Sequence, residues 1–124
     1  MTELKRRVCA ASDYFHYMNK EAFEACREYD RLQNNVNEVR AEYLGICEVL
    51  RRASHSGKLY RYLTGLVMLK QKMHDEYRDV RLESLRTLNW CCAALAETNR
   101  AYRDYMSLKK RLREIKEEKS CAEV

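Results

Sequence analysis

The sequence predicts an all-α fold, a long antiparallel helical hairpin, on three observations. Residues 4 to 53 carry an unbroken heptad of apolar and aromatic side chains. The chain of 124 residues has no proline and only three glycines. A single turn signal, Ser54-His55-Ser56-Gly57, interrupts it. A strand repeats every two residues and cannot hold such a series on one face, whereas a helix with a 3.5-residue repeat can, as in a left-handed coiled coil.

The heptad of the first helix reads Leu4, Val8, Ala11, Phe15, Met18, Ala22, Ala25, Tyr29, Leu32, Val36, Val39, Tyr43, Ile46, Leu50, Ala53, in alternating steps of four and three. It predicts a helix over about residues 3–53, roughly 75 Å long at 1.5 Å per residue. Gln33-Asn34-Asn35-Val36-Asn37 is the weak point, since Asn caps helices better than it fills them. Val36 and Val39 stay in phase across it, which favours continuity. Gly57 suits the left-handed conformation that ends a helix, and Ser54 or Ser56 is placed to cap the next one. Residues 54–57 are therefore expected to form the turn.

A second helix is expected over about residues 58–118, with residues 119–124 as a frayed tail, all within one helical domain. Its stripe runs through Leu59, Leu63, Leu66, Leu69, Met73, Tyr77, Val80, Ser84, Leu88, Cys91, Leu95, Thr98, Tyr102, Tyr105 or Met106, Leu112 and Ile115. The step from Val80 through Ser84 to Leu88 repeats a four, a stutter that would unwind the supercoil locally. Folding back at the turn pairs residues whose numbers sum to roughly 112, in a register read from the heptad. Ala22 and Ala25 would then face Trp90. A two-helix hairpin buries one stripe per helix, so Tyr14, Cys26, Cys47 and Val49 on the first helix and Leu82, Leu85 and Trp90 on the second are left needing partners. Self-association into a bundle, or pairing with other coiled-coil subunits, would cover them.

Charged residues make up 35% of the chain and the mean hydropathy is −0.70. A thin helical element with much surface per residue accommodates that charge. The apolar fraction of 46% and the strict period count against disorder. There is no run long enough to span a membrane and no apolar core in the N-terminal segment to act as a secretory signal. Six cysteines, Cys9, Cys26, Cys47, Cys91, Cys92 and Cys121, lack the spacing of a disulfide framework. Reduced thiols in the cytoplasm or nucleus follow as the expectation.

The residues that carry chemistry elsewhere are sparse. Asp13 with His16 and Gln71 with His74 have helical i, i+3 spacing, but di-iron bundles want paired Glu-x-x-His motifs, and zinc wants spaced cysteines rather than the adjacent Cys91-Cys92. No His lies near that pair to act as a base. Neither a metal, a cofactor, a small-molecule substrate nor an enzymatic activity is expected. Charge is uneven: residues 1–53 hold nine basic and nine acidic side chains, residues 58–124 fifteen and ten. The excess includes Lys109, Lys110, Arg111 and Arg113. Arg and Tyr interleave at Lys58-Leu59-Tyr60-Arg61-Tyr62 and at Arg100-Ala101-Tyr102-Arg103-Asp104-Tyr105. Two functional readings follow. The first is a non-enzymatic coiled-coil scaffold or interaction subunit of a cytosolic assembly, as in trafficking or cytoskeletal complexes, contacting its partner through Tyr14, Val49, Leu82, Leu85 and Trp90. The alternative is binding of an anionic surface, membrane lipid as in BAR-type helical modules or nucleic acid, through the four basic residues.

Overall fold

A computed structural model of the chain describes residues 2–57 and 60–123. Two helices, α1 (Thr2–His55) and α2 (Tyr60–Glu123), pack against each other as a helical hairpin. The expectations that fall on Lys58 and Leu59, and on the side chains of Tyr60 and Arg61, lie outside the described residues. α1 passes through Asn34, Asn35 and Asn37 without a break, because the seam residues on either side of them, Leu32, Val36 and Val39, are all buried. α2 stays helical through Glu123, where the sequence suggested fraying from residue 119.

The end of α1 is built by three short-range bonds. The Ser56 amide donates to the Arg52 carbonyl at 3.0 Å. The Ser54 hydroxyl donates to the Leu50 carbonyl at 2.9 Å and the Ser56 hydroxyl to the Ala53 carbonyl at 3.0 Å. The Ser56 hydroxyl thus satisfies a carbonyl that the helix end leaves without an amide partner, while Ser54 adds a second donor to a carbonyl within its own helix. Gly57 then turns the chain with φ of 67°, in the left-handed region.

Contacts divide the chain into two units, Met1–Cys26 with Asn89–Val124, and Arg27–Leu88. In the first, Phe15 packs on Tyr102 and Cys26 meets Cys91. In the second, Gln33 meets Ser84 and Tyr43 meets His74. Each pair sums to 117, which sets an antiparallel register about five residues from the expected 112. The cause is the turn: α1 runs to His55 rather than 53 and α2 starts at Tyr60 rather than 58, so the fold-back centre moves towards the C-terminus.

All fifteen heptad residues of α1 are buried or half-buried. In the first unit the buried apolar set is Leu4, Ala22, Ala25, Cys91, Ala94 and Ala101, with Ala25 wholly inaccessible. In the second it is Leu32, Val36, Val39 and Ala53. Burying one Leu of this kind is worth about 2 kcal/mol.

The α2 stripe differs from the expected one. Its seam positions, each buried or half-buried, are Leu63, Leu66, Lys70, Met73, Tyr77, Val80, Ser84, Thr87, Cys91, Ala94, Thr98, Ala101, Tyr105, Leu108, Leu112 and Ile115, with Asp75, Leu88 and Glu97 half-buried beside it. Along the seam, steps of three and four alternate with no stutter. Leu69, Leu95, Tyr102 and Met106 lie outside it and are exposed. Following the largest apolar residue at each turn leads off the seam where the seam position is Lys70, Thr87, Ala94 or Ala101; a half-buried Lys is suited to such a place because an aliphatic stem can cover apolar surface while the charge stays in water.

Two buried hydroxyls are satisfied. Ser84 donates to Gln33 Oε1 at 3.1 Å. The Thr98 hydroxyl lies 2.9 Å from the Met18 carbonyl across the hairpin and 2.7 Å from the Ala94 carbonyl of its own helix, sharing one proton between them. Among the described residues no buried side-chain nitrogen or oxygen lacks a hydrogen-bond partner.

Candidate interaction surface

The lateral faces of the first unit carry the features that the seam does not use. On one side, Phe23, 65% exposed, stands beside Leu95, with His16, Asn19, Lys20, Ala22 and Cys26 lining the same open groove of about 460 Å³. Tyr102 and Met106 continue this side at helical spacing along α2, and both are exposed. In heptad terms these residues flank the seam rather than fill it, which makes a second apolar stripe. Phe15 supports Tyr102 from within the seam, with ring centroids 5.2 Å apart.

The opposite side of the same unit holds Trp90, 43% exposed, in a shallow groove with Tyr17, Met18, Glu21, Ala93 and Ala94. The expected placement of Trp90 over Ala22 and Ala25 is therefore corrected by the five-residue change in register. Near it the Tyr14 hydroxyl donates to Glu97 Oε1 at 2.6 Å. Glu97 also accepts from Arg100, whose Nε lies 3.0 Å from Oε2, and Arg100 reaches on to Asp104 at 2.9 Å. The guanidinium first, then the phenol, hold the Glu97 carboxyl down to about 2. The same bond raises the Tyr14 phenol above its ordinary value.

The five residues expected to form one partner surface are divided between the units. Tyr14 and Trp90 belong to the first unit. Val49, Leu82 and Leu85 belong to the second, where each is exposed. Leu85 lines a groove there with Tyr29, Gln33, Val36, Arg40, Tyr77 and Arg81. In that unit Tyr43 stacks on Tyr77 with ring planes 6° apart. The Cys47 thiol, then burial, raises the Tyr43 phenol.

The sequence reading passes over Phe23 and places Leu95 and Tyr102 on the seam, and of its two alternatives at the next layer Tyr105 is the half-buried one and Met106 is exposed. The signal was present: Leu88, Cys92, Leu95, Tyr102 and Met106 keep a helical spacing of their own, one position after the true seam. One residue along a helix is a rotation of about 100°, enough to move a side chain from core to flank.

Of the four basic residues, Lys109 and Arg113 come together with Lys116 around a groove of about 340 Å³ that Val8, Tyr105 and Leu112 complete. The Lys109 ammonium sits 5.7 Å from the Tyr105 ring centroid. Lys110 and Arg111 are exposed and do not line this groove. The two candidate i, i+3 metal pairs have other company. His16 packs on the Phe15 ring, and Gln71 donates to Asp75 at 3.0 Å beside His74. Among the described residues no three His, Cys, Asp or Glu side chains gather where they would hold a metal ion, and no helix is long and apolar enough to cross a membrane. No protein-family model, no curated protein and no solved structure matches this chain.

Proposed function

We propose that the chain is a non-enzymatic helical interaction subunit that uses its hairpin as a rigid coiled-coil scaffold and binds a further helix along the flank of Phe23, Leu95, Tyr102 and Met106. The observation that carries this reading is that second apolar stripe, left exposed on a hairpin whose first stripe is already used. Two helices packed side by side offer a groove into which the apolar face of another helix fits. Exposed aromatics of this kind are enriched where proteins meet. A second copy of the chain, or a subunit of similar character in the cytoplasm, supplies such a helix.

Light scattering across a wide concentration range, with the Phe23→Ser/Leu95→Ser double variant alongside, tests the proposal. Both side chains are exposed in the hairpin, so the variant keeps its helicity. The expected result is a wild-type dimer or tetramer, or concentration-dependent aggregation, that the variant converts to a well-behaved monomer. A wild type that stays monomeric, with solubility and melting no different from the variant, would sink the idea.

A second reading rests on the groove of Lys109, Arg113 and Lys116, which gathers three cations without a carboxylate in its lining. It would meet an anionic surface of lipid or nucleic acid. Its mark is salt dependence, since phosphate contacts weaken steeply as salt rises. Replacing the three cations with Gln should abolish binding to anionic vesicles or oligonucleotides while leaving the assembly state alone.

A further inference from the structure

Among six cysteines, two sulfurs face one another across the hairpin. Cys26 Sγ and Cys91 Sγ lie 2.7 Å apart, although the residues are 65 positions apart in the chain. Neither is in a disulfide. A disulfide sets its sulfurs about 2.05 Å apart and demands closely approaching backbones. The alanines around this pair meet that demand: Ala22, Ala25 and Ala94 are all buried and leave room for the helices to close. Cys92, one residue along and turned away by about 100°, is exposed and does not share the contact.

Access differs between the partners. Cys91 is buried, while Cys26 is half-buried and lines the open groove with Phe23, Leu95 and the ammonium of Lys20. A small oxidant therefore reaches Cys26 first, and Cys91 waits behind it.

We propose that Cys26 and Cys91 form a reversible cross-helix disulfide in response to a peroxide-class oxidant. In the first step the Cys26 thiolate attacks one peroxide oxygen. The S–O bond forms, the O–O bond breaks, and the leaving hydroxide takes a proton as water. In the second, the Cys91 thiolate attacks the Cys26 sulfur. The S–S bond forms, the S–O bond breaks, and hydroxide again leaves as water. Two thiols lose two electrons and one hydrogen peroxide becomes two waters. A dithiol reductant reverses the bond by exchange. The product ties α1 to α2 across a long loop, which restricts the unfolded chain more than the folded one.

The test is hydrogen peroxide treatment of the full chain, followed by tryptic digestion without reduction and mass spectrometry. Trypsin releases residues 21–27, which hold Cys26, and residues 87–100, which hold Cys91 and Cys92. The expected result is these two peptides joined with loss of two hydrogens within one chain. The link should vanish in Cys26→Ser and in Cys91→Ala, the latter matching the alanines of the seam, and persist in Cys92→Ser. Oxidised wild type should melt at least about 5 °C higher, by loop-closure restriction, and return to its original melting point with dithiothreitol. Sulfinic acid on Cys26 with no link, a link that survives Cys91→Ala but not Cys92→Ser, or a link only between two chains would each overturn the proposal. Circular dichroism of every variant guards the comparison, and Cys26→Ser at a half-buried site decides it should Cys91→Ala lose its helicity.

Discussion

Gly57 is the only described residue with positive φ, and nothing lies within 4 Å of where a Cβ would stand. The effect of adding a methyl there is therefore a pure backbone effect. Gly57→Ala should destabilise the hairpin by about 1 kcal/mol, the cost of forcing an L side chain into the left-handed region. Gly45 and Gly65 are the opposite case. Each sits inside a helix with open space around its Cα, so Gly45→Ala and Gly65→Ala should each stabilise by about 0.5–1 kcal/mol. Chemical denaturation of the three variants reads both signs in one series. A stabilising Gly57→Ala would mean that the turn is not held at this residue. Glu97 supplies a pH dependence at the same scale. Its carboxyl is held down to about 2 by Arg100 and Tyr14, against an ordinary value of 4.5. A depressed folded-state value means that the contribution is whole above about 4.5 and is lost as pH falls through about 2. Acid melts should show the wild type losing more stability across that window than Tyr14→Phe/Glu97→Gln. The difference should be small, since the Glu97 side chain is 33% exposed and solvent screens it.

At the scale of the element, the packed stripe explains what was legible and what was not. The first helix could be read to within two residues at each end because its apolar seam keeps one phase from Leu4 to Ala53 and the Ser-His-Ser-Gly turn follows directly. The second could be read as a helix, although it continues to Glu123 rather than ending near residue 118, but its seam could not. Ala94 and Ala101 are weak hydrophobes and lost the assignment to Leu95 and Tyr102, their larger neighbours one position on. Thr98 kept its place only because it happened to fall on both series. The register error has the same physical origin as the turn error, since each residue added to the connection moves every cross-helix pair. Burial of the alanines makes a sharp prediction. Ala25 has no accessible surface, so Ala25→Leu should overpack the first unit and cost about 1–3 kcal/mol or more. Leu32→Asp, at a 3% exposed site, should cost more still by placing an unpaired carboxylate in the seam. Thermal melts followed by circular dichroism give both values. An Ala25→Leu variant as stable as wild type would show that the helices do not approach closely at that layer.

For the whole molecule, the heptad foretold helix pairing but not the surface left over. Tyr14 and Trp90 belong to the first unit, and Val49, Leu82 and Leu85 to the second. Phe23 escaped notice because a lone aromatic off the seam has no periodicity to announce it. It becomes visible only when Leu95 of the other helix is brought beside it. The Cys26–Cys91 contact was hidden for the same reason: a pairing between distant residues is a property of register, and register depends on the turn. Pairings of this kind are relations between the helices, while composition and period describe each helix alone.

The position of the turn also sets an order of events in folding. Contacts bridging short stretches of chain close more cheaply than those bridging long ones, though the cost grows only slowly with length. Tyr43 and His74 meet across a shorter loop than Gln33 and Ser84, 51 residues apart, and those across a shorter one than Tyr14 and Glu97, 83 apart. Pairing that begins beside Gly57 can therefore advance one layer at a time towards the chain ends, each layer reducing the entropy cost of the next. With no proline in the chain, no slow prolyl isomerisation stands in the way of that zipper. Pulse-labelled hydrogen exchange during refolding should therefore show amides on either side of Gly57 protected before those near Thr2 and Glu123, and the reverse order would exclude such a zipper.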